Sequence, residues 1–339
     1  MMLLIITVTK YILSLLLMFA ISVIGVFCES LSRAVFSKFS KHGETPRVYS
    51  ATRKLLASYR RKITLPETAN MPLALYGSAL SFAALIPACA AIPFCTLIPV
   101  MDNGADVLQI MQFYMLSEVL AIISLYSLGS KEAGFAANKC IKESFMLMIP
   151  LVSFLISIAA FFEAGGGKGD AFSLNAFSLS QKFSEIGTGG TIGVIIFIFL
   201  IFTQIPHSDI TEGTLLFDDS EMPSYQGCPR AILQLRGIFR SFLVVTVVVN
   251  MFFPLGDFAV LPSGSIFSWN AQLVNFIIFW LAVIFARVVC VNFSWVLYAV
   301  INKLLPGSFM LFFVPGTALI AAALLLHEVY VLSSEIAAF

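Results

Sequence analysis

Ile205-Pro206-His207-Ser208-Asp209-Ile210-Thr211-Glu212-Gly213-Thr214-Leu215-Leu216-Phe217-Asp218-Asp219-Ser220-Glu221-Met222-Pro223-Ser224-Tyr225-Gln226-Gly227 carries five carboxylates, one histidine and no Lys or Arg. An apolar run ends at Ile205 and another begins near Ile238. A stretch this acidic between two such runs reads as a loop joining two membrane spans. Like charges repel and raise one another's proton affinity. Two readings are therefore open: a solvated connector, or a set of carboxylates (Asp209, Glu212, Asp218, Asp219, Glu221) at the membrane boundary that carry protons or dock a partner.

Working outward, the chain of 339 residues is 59% hydrophobic and 12% charged. A soluble domain carries about 25% charged residues, so the sequence predicts an all-α integral membrane protein in a single polytopic domain, 1–339. The net charge of +1 gives no electrostatic ground for nucleic-acid binding. The six cysteines form no CxxC pair, and the three histidines (42, 207, 327) form no HExxH pattern. Neither a disulfide framework nor a metal site held by this chain is expected.

Apolar runs lie at 3–27, 73–100, 108–128, 144–162, 191–205, 239–255, 271–291 and 309–326, predicting about eight transmembrane helices. The run at 191–205 is short for a span and must recruit upstream residues or sit among other helices. Eight spans make the segments 29–71, 129–143, 206–237 and 288–308 share one side. Taken with their charged flanks (33–62, 129–143, 206–240 and 287–303), these segments hold all 20 Lys and Arg residues except Lys10, Lys168 and Lys182. By the positive-inside rule that side is the cytoplasm, and both termini are extracytoplasmic. The expected location is the cell (inner or cytoplasmic) membrane.

The basic segment 33–62 contains Arg47, Arg53, Lys54, Arg60, Arg61 and Lys62. Residues 48–59 read as a short amphipathic helix with Tyr49, Leu55 and Leu56 among basic residues. These cations, with Arg230 and Arg236, serve as a topology signal or as docking groups for a partner or lipid headgroups. Glu118 lies mid-run, where an ionisable group costs about 2.5–3.5 kcal/mol on insertion scales. It is a proton-path candidate, or a carboxylate kept neutral by burial or paired to a neighbouring chain. Glu143 forms an i,i+4 pair with Lys139 at the start of the fourth run. Arg287, near the end of the seventh, either snorkels or balances the acidic loop. No nucleophile triad, P-loop or dinucleotide fingerprint is present, and no internal repeat marks a transporter.

Four stretches carry a resemblance to a known family. They are His42-Gly43-Glu44-Thr45-Pro46 with Tyr49-Ser50-Ala51-Thr52-Arg53-Lys54-Leu55-Leu56; Gly129-Ser130-Lys131 with Gly134; Ile205-Pro206 with the acids through Tyr225-Gln226-Gly227; and Ala286-Arg287. With the eight-span topology they resemble the eight-span subunit of respiratory complex I that anchors its soluble arm. They are equally similar to the membrane anchor subunit of group 4 energy-converting NiFe hydrogenases, including formate hydrogenlyase. The sequence departs from the family pattern at several points. Ser50 stands where an Asp follows the Tyr, Ala137 stands where an Arg is expected, and the fourth-span glutamate position falls at Met146. These departures favour the hydrogenase-like branch over a standard quinone site.

The resemblance implies a subunit with no redox centre of its own. It anchors a soluble arm of iron–sulfur and large hydrogenase-like subunits, whose iron–sulfur clusters, and NiFe centre where present, belong to those partners. It also begins a charged path towards antiporter-like membrane subunits, moving H+ or Na+. Glu118, Glu143, the five loop acids and Arg287 are the expected path residues. The alternatives are a complex I subunit with a quinone site beneath the acidic loop, and a stand-alone secondary transporter.

Overall fold

Asn70 opens the first long apolar helix, its side chain accepting from the Leu73 N–H at 3.5 Å, with a proline in the first turn. In this computed structural model the described residues are 50–92, 107–164, 188–204, 225–252 and 307–337, with scattered positions in 16–31 and 274–289. They form α1 (Ser50–Arg60), α2 (Met71–Ala83), α3 (Leu85–Ala91), α4 (Val107–Tyr126), α5 (Lys131–Ala164), α6 (Thr188–Gln204), α7 (Cys228–Phe252) and α8 (Gly307–Ala337). Among the described residues there is no strand, only an isolated antiparallel bridge between Thr64 and Gln226. Two helical stretches, Met71–Ala91 and Val107–Tyr126, are long and apolar enough to cross a membrane. Shorter apolar helices lie at Met148–Ala160, Thr188–Phe197 and Pro315–Val331.

Two groups of helices share α5. On one side α4 packs on α2, α3 and α5, while α7 packs on α1, α2 and α3; on the other, α8 packs on α5 and α6. Small residues bring α2 and α4 together. A Cβ on Gly77 would lie 2.9 Å from the Ser124 Cβ, Ser124 Oγ donates to the Ala74 carbonyl at 3.0 Å, and Ser117 Oγ donates to the Ser81 carbonyl at 2.6 Å. Small faces permit such approach, and hydroxyls satisfy carbonyls where water is absent. Larger side chains fill the other junctions: Phe154 meets Phe197 between α5 and α6, and Phe242 of α7 stacks on Trp280.

Two helices begin earlier than hydropathy indicates. Residues 131–143, expected as a polar loop, are the first turns of α5. Ser130 caps them by accepting from the Ala133 N–H at 3.2 Å, and Ala, Lys and Glu support helix there. Likewise α7 starts at Cys228, ten residues before the apolar run. Gly227, at φ +94°, turns the chain into it. The bridge pairs Thr64 N–H with the Gln226 carbonyl at 3.4 Å and Gln226 N–H with the Thr64 carbonyl at 3.2 Å. It thereby ties the end of the basic segment to the end of the acidic one.

Candidate functional site: a buried carboxylate between two arginines

Arg236 and Arg240 stand four residues apart on α7, so both side chains leave the same face. That face meets Glu118 of α4, which is 3% exposed. Arg236 Nη2 lies 2.6 Å from Glu118 Oε1. The approach is an ion pair rather than a well-aligned hydrogen bond. Arg240 Nη1 lies 3.3 Å from Oε1 and 3.4 Å from Oε2. Ser144 of α5 donates to Oε2 at 2.7 Å. Arg236 also donates through Nε to Ser117 Oγ at 2.9 Å, and that hydroxyl in turn donates to the Ser81 carbonyl. The network thus runs from α2 through α4 to α7 and α5.

A buried carboxylate is tolerated only when opposite charges and hydrogen bonds replace the water it has lost. Here both carboxylate oxygens are engaged. From sequence, Glu118 is neutral by burial, paired to a neighbouring chain, or on a proton path; the structure adds a pairing within this chain. Arg230 and Arg236, read from the sequence as docking cations, are each 1% exposed. This differs from a docking surface for a physical reason: helix α7 begins upstream of both and carries them into the interior. Arg230 donates through Nη1 to the Tyr225 carbonyl at 3.3 Å. Burial pushes the Tyr225 phenol above its ordinary value.

The remaining candidates divide by location. Arg53, Arg60, Arg61 and Lys62 are exposed on and just after α1. Lys54 and Glu143 lie in helices, with side chains outside the described residues. Arg47, Asp209, Glu212, Asp218, Asp219, Glu221 and Arg287 lie outside them altogether. Sequence reasoning passed over Ser81, Ser117, Ser144 and the pairing role of Arg240. The signal for Arg240 was present: two arginines at i,i+4 entering an apolar run, with a lone mid-run glutamate elsewhere.

No protein-family model matches the sequence, and no curated protein matches it. In structure, the chain is similar to a chain of the membrane-bound sulfane sulfur reductase, an archaeal respiratory membrane complex. The TM-score is 0.63 at 17% identity, over 94% of this chain and 99% of that one. The two chains share a fold along nearly their whole lengths. At this identity the likeness is one of fold, and fold alone does not assign chemistry.

Proposed function

We propose that this chain is an integral membrane subunit of a redox-driven, ion-translocating complex of the respiratory and energy-converting hydrogenase type, of the hydrogenase-like branch. The observation that carries this reading is the fold shared over 94% of the chain with a chain of a respiratory membrane complex. In this reading the chain holds no redox centre. It anchors a soluble arm of iron–sulfur and large hydrogenase-like subunits on the face that carries the Thr64–Gln226 bridge. It then passes the electrostatic consequence of electron transfer towards antiporter-like subunits in the same membrane.

The residues support a route for that coupling. Two unit charges about 4 Å apart interact by about 4 kcal/mol at an effective dielectric of 20. A redox change in a docked partner acts on the acids of 209–221, and Glu143 and Glu118 continue inward. Within the helices the Arg236–Glu118–Arg240 array is a set of charges whose spacing a small helix shift changes.

The test is purification of the tagged chain from its native membrane in mild detergent. The expected result is co-purification of iron and acid-labile sulfide, with visible absorbance that bleaches on reduction. A monodisperse single-chain species, free of iron and active in transport after reconstitution, would overturn the reading in favour of a transporter.

A further inference from the structure

Helices α4 and α5 are joined by the tight turn at 127–130 and run antiparallel. Two side-chain hydrogen bonds set the register between them. Tyr126 donates to Asn138 Oδ1 at 2.8 Å, and Ser144 donates to Glu118 at 2.7 Å. Lys142 of α5 is therefore level with the turn around Ala121 of α4.

The pair presents one outer face. Gln112, Leu116, Val119 and Ile123 are exposed along α4, and Lys142, Phe145, Ile149 and Val152 along α5. Both series advance in steps of three and four, so each is a single stripe. Tyr126 ends the first stripe and Asn138 begins the second, and their hydrogen bond makes the two stripes adjoining edges of one surface.

The spacing of the polar groups on that surface decides what it meets. Nine residues of helix separate the level of Gln112 from that of Lys142, about 14 Å at 1.5 Å per residue. The hydrocarbon core of a bilayer is about 30 Å thick. If this face met lipid, the two groups could not both reach headgroups, and a snorkelling lysine recovers only part of the difference. Lys142 also lies at a level inside Val107–Tyr126, the stretch long and apolar enough to cross a membrane. The exposed faces of α2 between Leu73 and Leu80, and of α8 between Leu319 and Leu326, carry no charged residue.

We propose that the α4–α5 face is the docking surface for a transmembrane helix of a partner subunit. That helix brings a carboxylate to Lys142 and a hydrogen-bonding side chain to Gln112. An ammonium and an amide at this depth are stabilised by polar groups on a facing helix, which acyl chains do not offer. Phe145, 64% exposed one turn from Lys142, supplies the apolar anchor. A second copy of this chain does not fit. A two-fold contact through this face sets Lys142 against Lys142. Among the described residues the exposed acids are Glu67, Glu132 and Glu163, which lie in a loop or at the ends of α5. This inference rests on the proposed reading of the chain as one subunit of a membrane complex.

The test uses the complex in its native membrane. A photoreactive p-benzoylphenylalanine replaces Phe145 and, in a separate control chain, Ile320 on the uncharged face of α8. The label at 145 should join an integral membrane subunit, with the adduct mapped by mass spectrometry to an apolar helix bearing Asp or Glu. The label at 320 should join lipid. Lys142→Glu should lower recovery of that subunit about ten-fold, because like charges across an interface repel. Lys142→Arg keeps the charge and should leave recovery unchanged. An unchanged melting midpoint of the purified chain shows that either variant folds. Adducts at 145 with lipid alone, with a second copy or with a water-soluble subunit overturn the proposal. Equal recovery of the partner with Lys142→Glu overturns it too. If iron and acid-labile sulfide still co-purify in those cases, the failure belongs to this surface alone. A chain that purifies with no other subunit overturns the proposed function as well.

Discussion

Helices α1 and α7 both carry arginines close to an apolar stretch, yet the structure uses them in opposite ways. Arg53 and Arg60 of α1 face outward beside Leu56 and Tyr59. Arg236 and Arg240 of α7 are 1% and 4% exposed and close on Glu118. Composition does not separate the two cases. The difference is the presence of a carboxylate on a facing helix at matching depth. A cation near a membrane boundary stays outside unless such a counter-charge draws it in, because burial of an unpaired charge costs far more than a surface site. Charge in an oily chain therefore marks either a boundary or an internal junction, and only the facing helix decides which.

The largest effect should come from breaking the internal junction. Glu118→Leu leaves two buried guanidinium groups without their common partner and should cost about 3–5 kcal/mol. Glu118→Leu/Arg236→Leu should recover part of that loss, since removing both members of a buried pair is far milder than removing one. The measurement is the thermal midpoint of the detergent-purified chain, followed by circular dichroism. If Glu118→Leu melts with the parent, the cluster contributes nothing to the packing of α4 against α7, and the contrast with α1 fails.

The link between the two regions is the next target. Gly227 adopts φ +94°, and a Cβ there would stand 2.9 Å from the Ile63 backbone Cα. Backbone cannot yield as a side-chain tip can, so Gly227→Ala should cost about 1–3 kcal/mol. It should also raise the rate of proteolytic cleavage between α1 and α2, because the strand pairing of Thr64 with Gln226 sits on this turn. Unchanged cleavage and melting would mean that α1 and α7 are positioned independently of the bridge.

These regions differ in how readable they were. The apolar runs at 108–128, 144–162 and 309–326 each coincide with a helix, because twenty oily residues admit little else in a membrane. Boundaries escaped that logic: hydropathy ends where charge begins, but helical hydrogen bonding continues. Ser130 and Gly227, rather than the loss of hydrophobicity, set where α5 and α7 start. Glu118 was legible as an ionisable group inside a run. Arg236 and Arg240, at i,i+4 and entering another run, signalled a cationic partner for it. Which run faced it was not legible, since Glu118 and Arg240 are 122 residues apart and no local pattern encodes which helices face each other. The serines were invisible for a similar reason. A hydroxyl in an apolar helix is equally consistent with a bond to its own helix, as at Ser157 and the Ser153 carbonyl, and with a bond to another, as at Ser144.

The smallest expected effect sharpens the comparison most, because it applies one chemical change to both regions. Arg60→Gln and Arg236→Gln each remove a guanidinium and keep a polar side chain of similar reach. On α1 the guanidinium is exposed, so its loss alters little that water does not replace. In detergent without anionic lipid, stability should stay within about 0.5 kcal/mol of the parent. On α7 the same change removes the closest cation from Glu118, which retains Arg240 and Ser144, and the donor from Ser117. The loss should be several times larger, as for truncating one member of a buried, hydrogen-bonded pair. Measured side by side as shifts in midpoint, the two variants should separate clearly. Equal shifts would mean that the exposed and buried arginines are energetically alike, and that burial of Arg236 does not reflect a working ion pair.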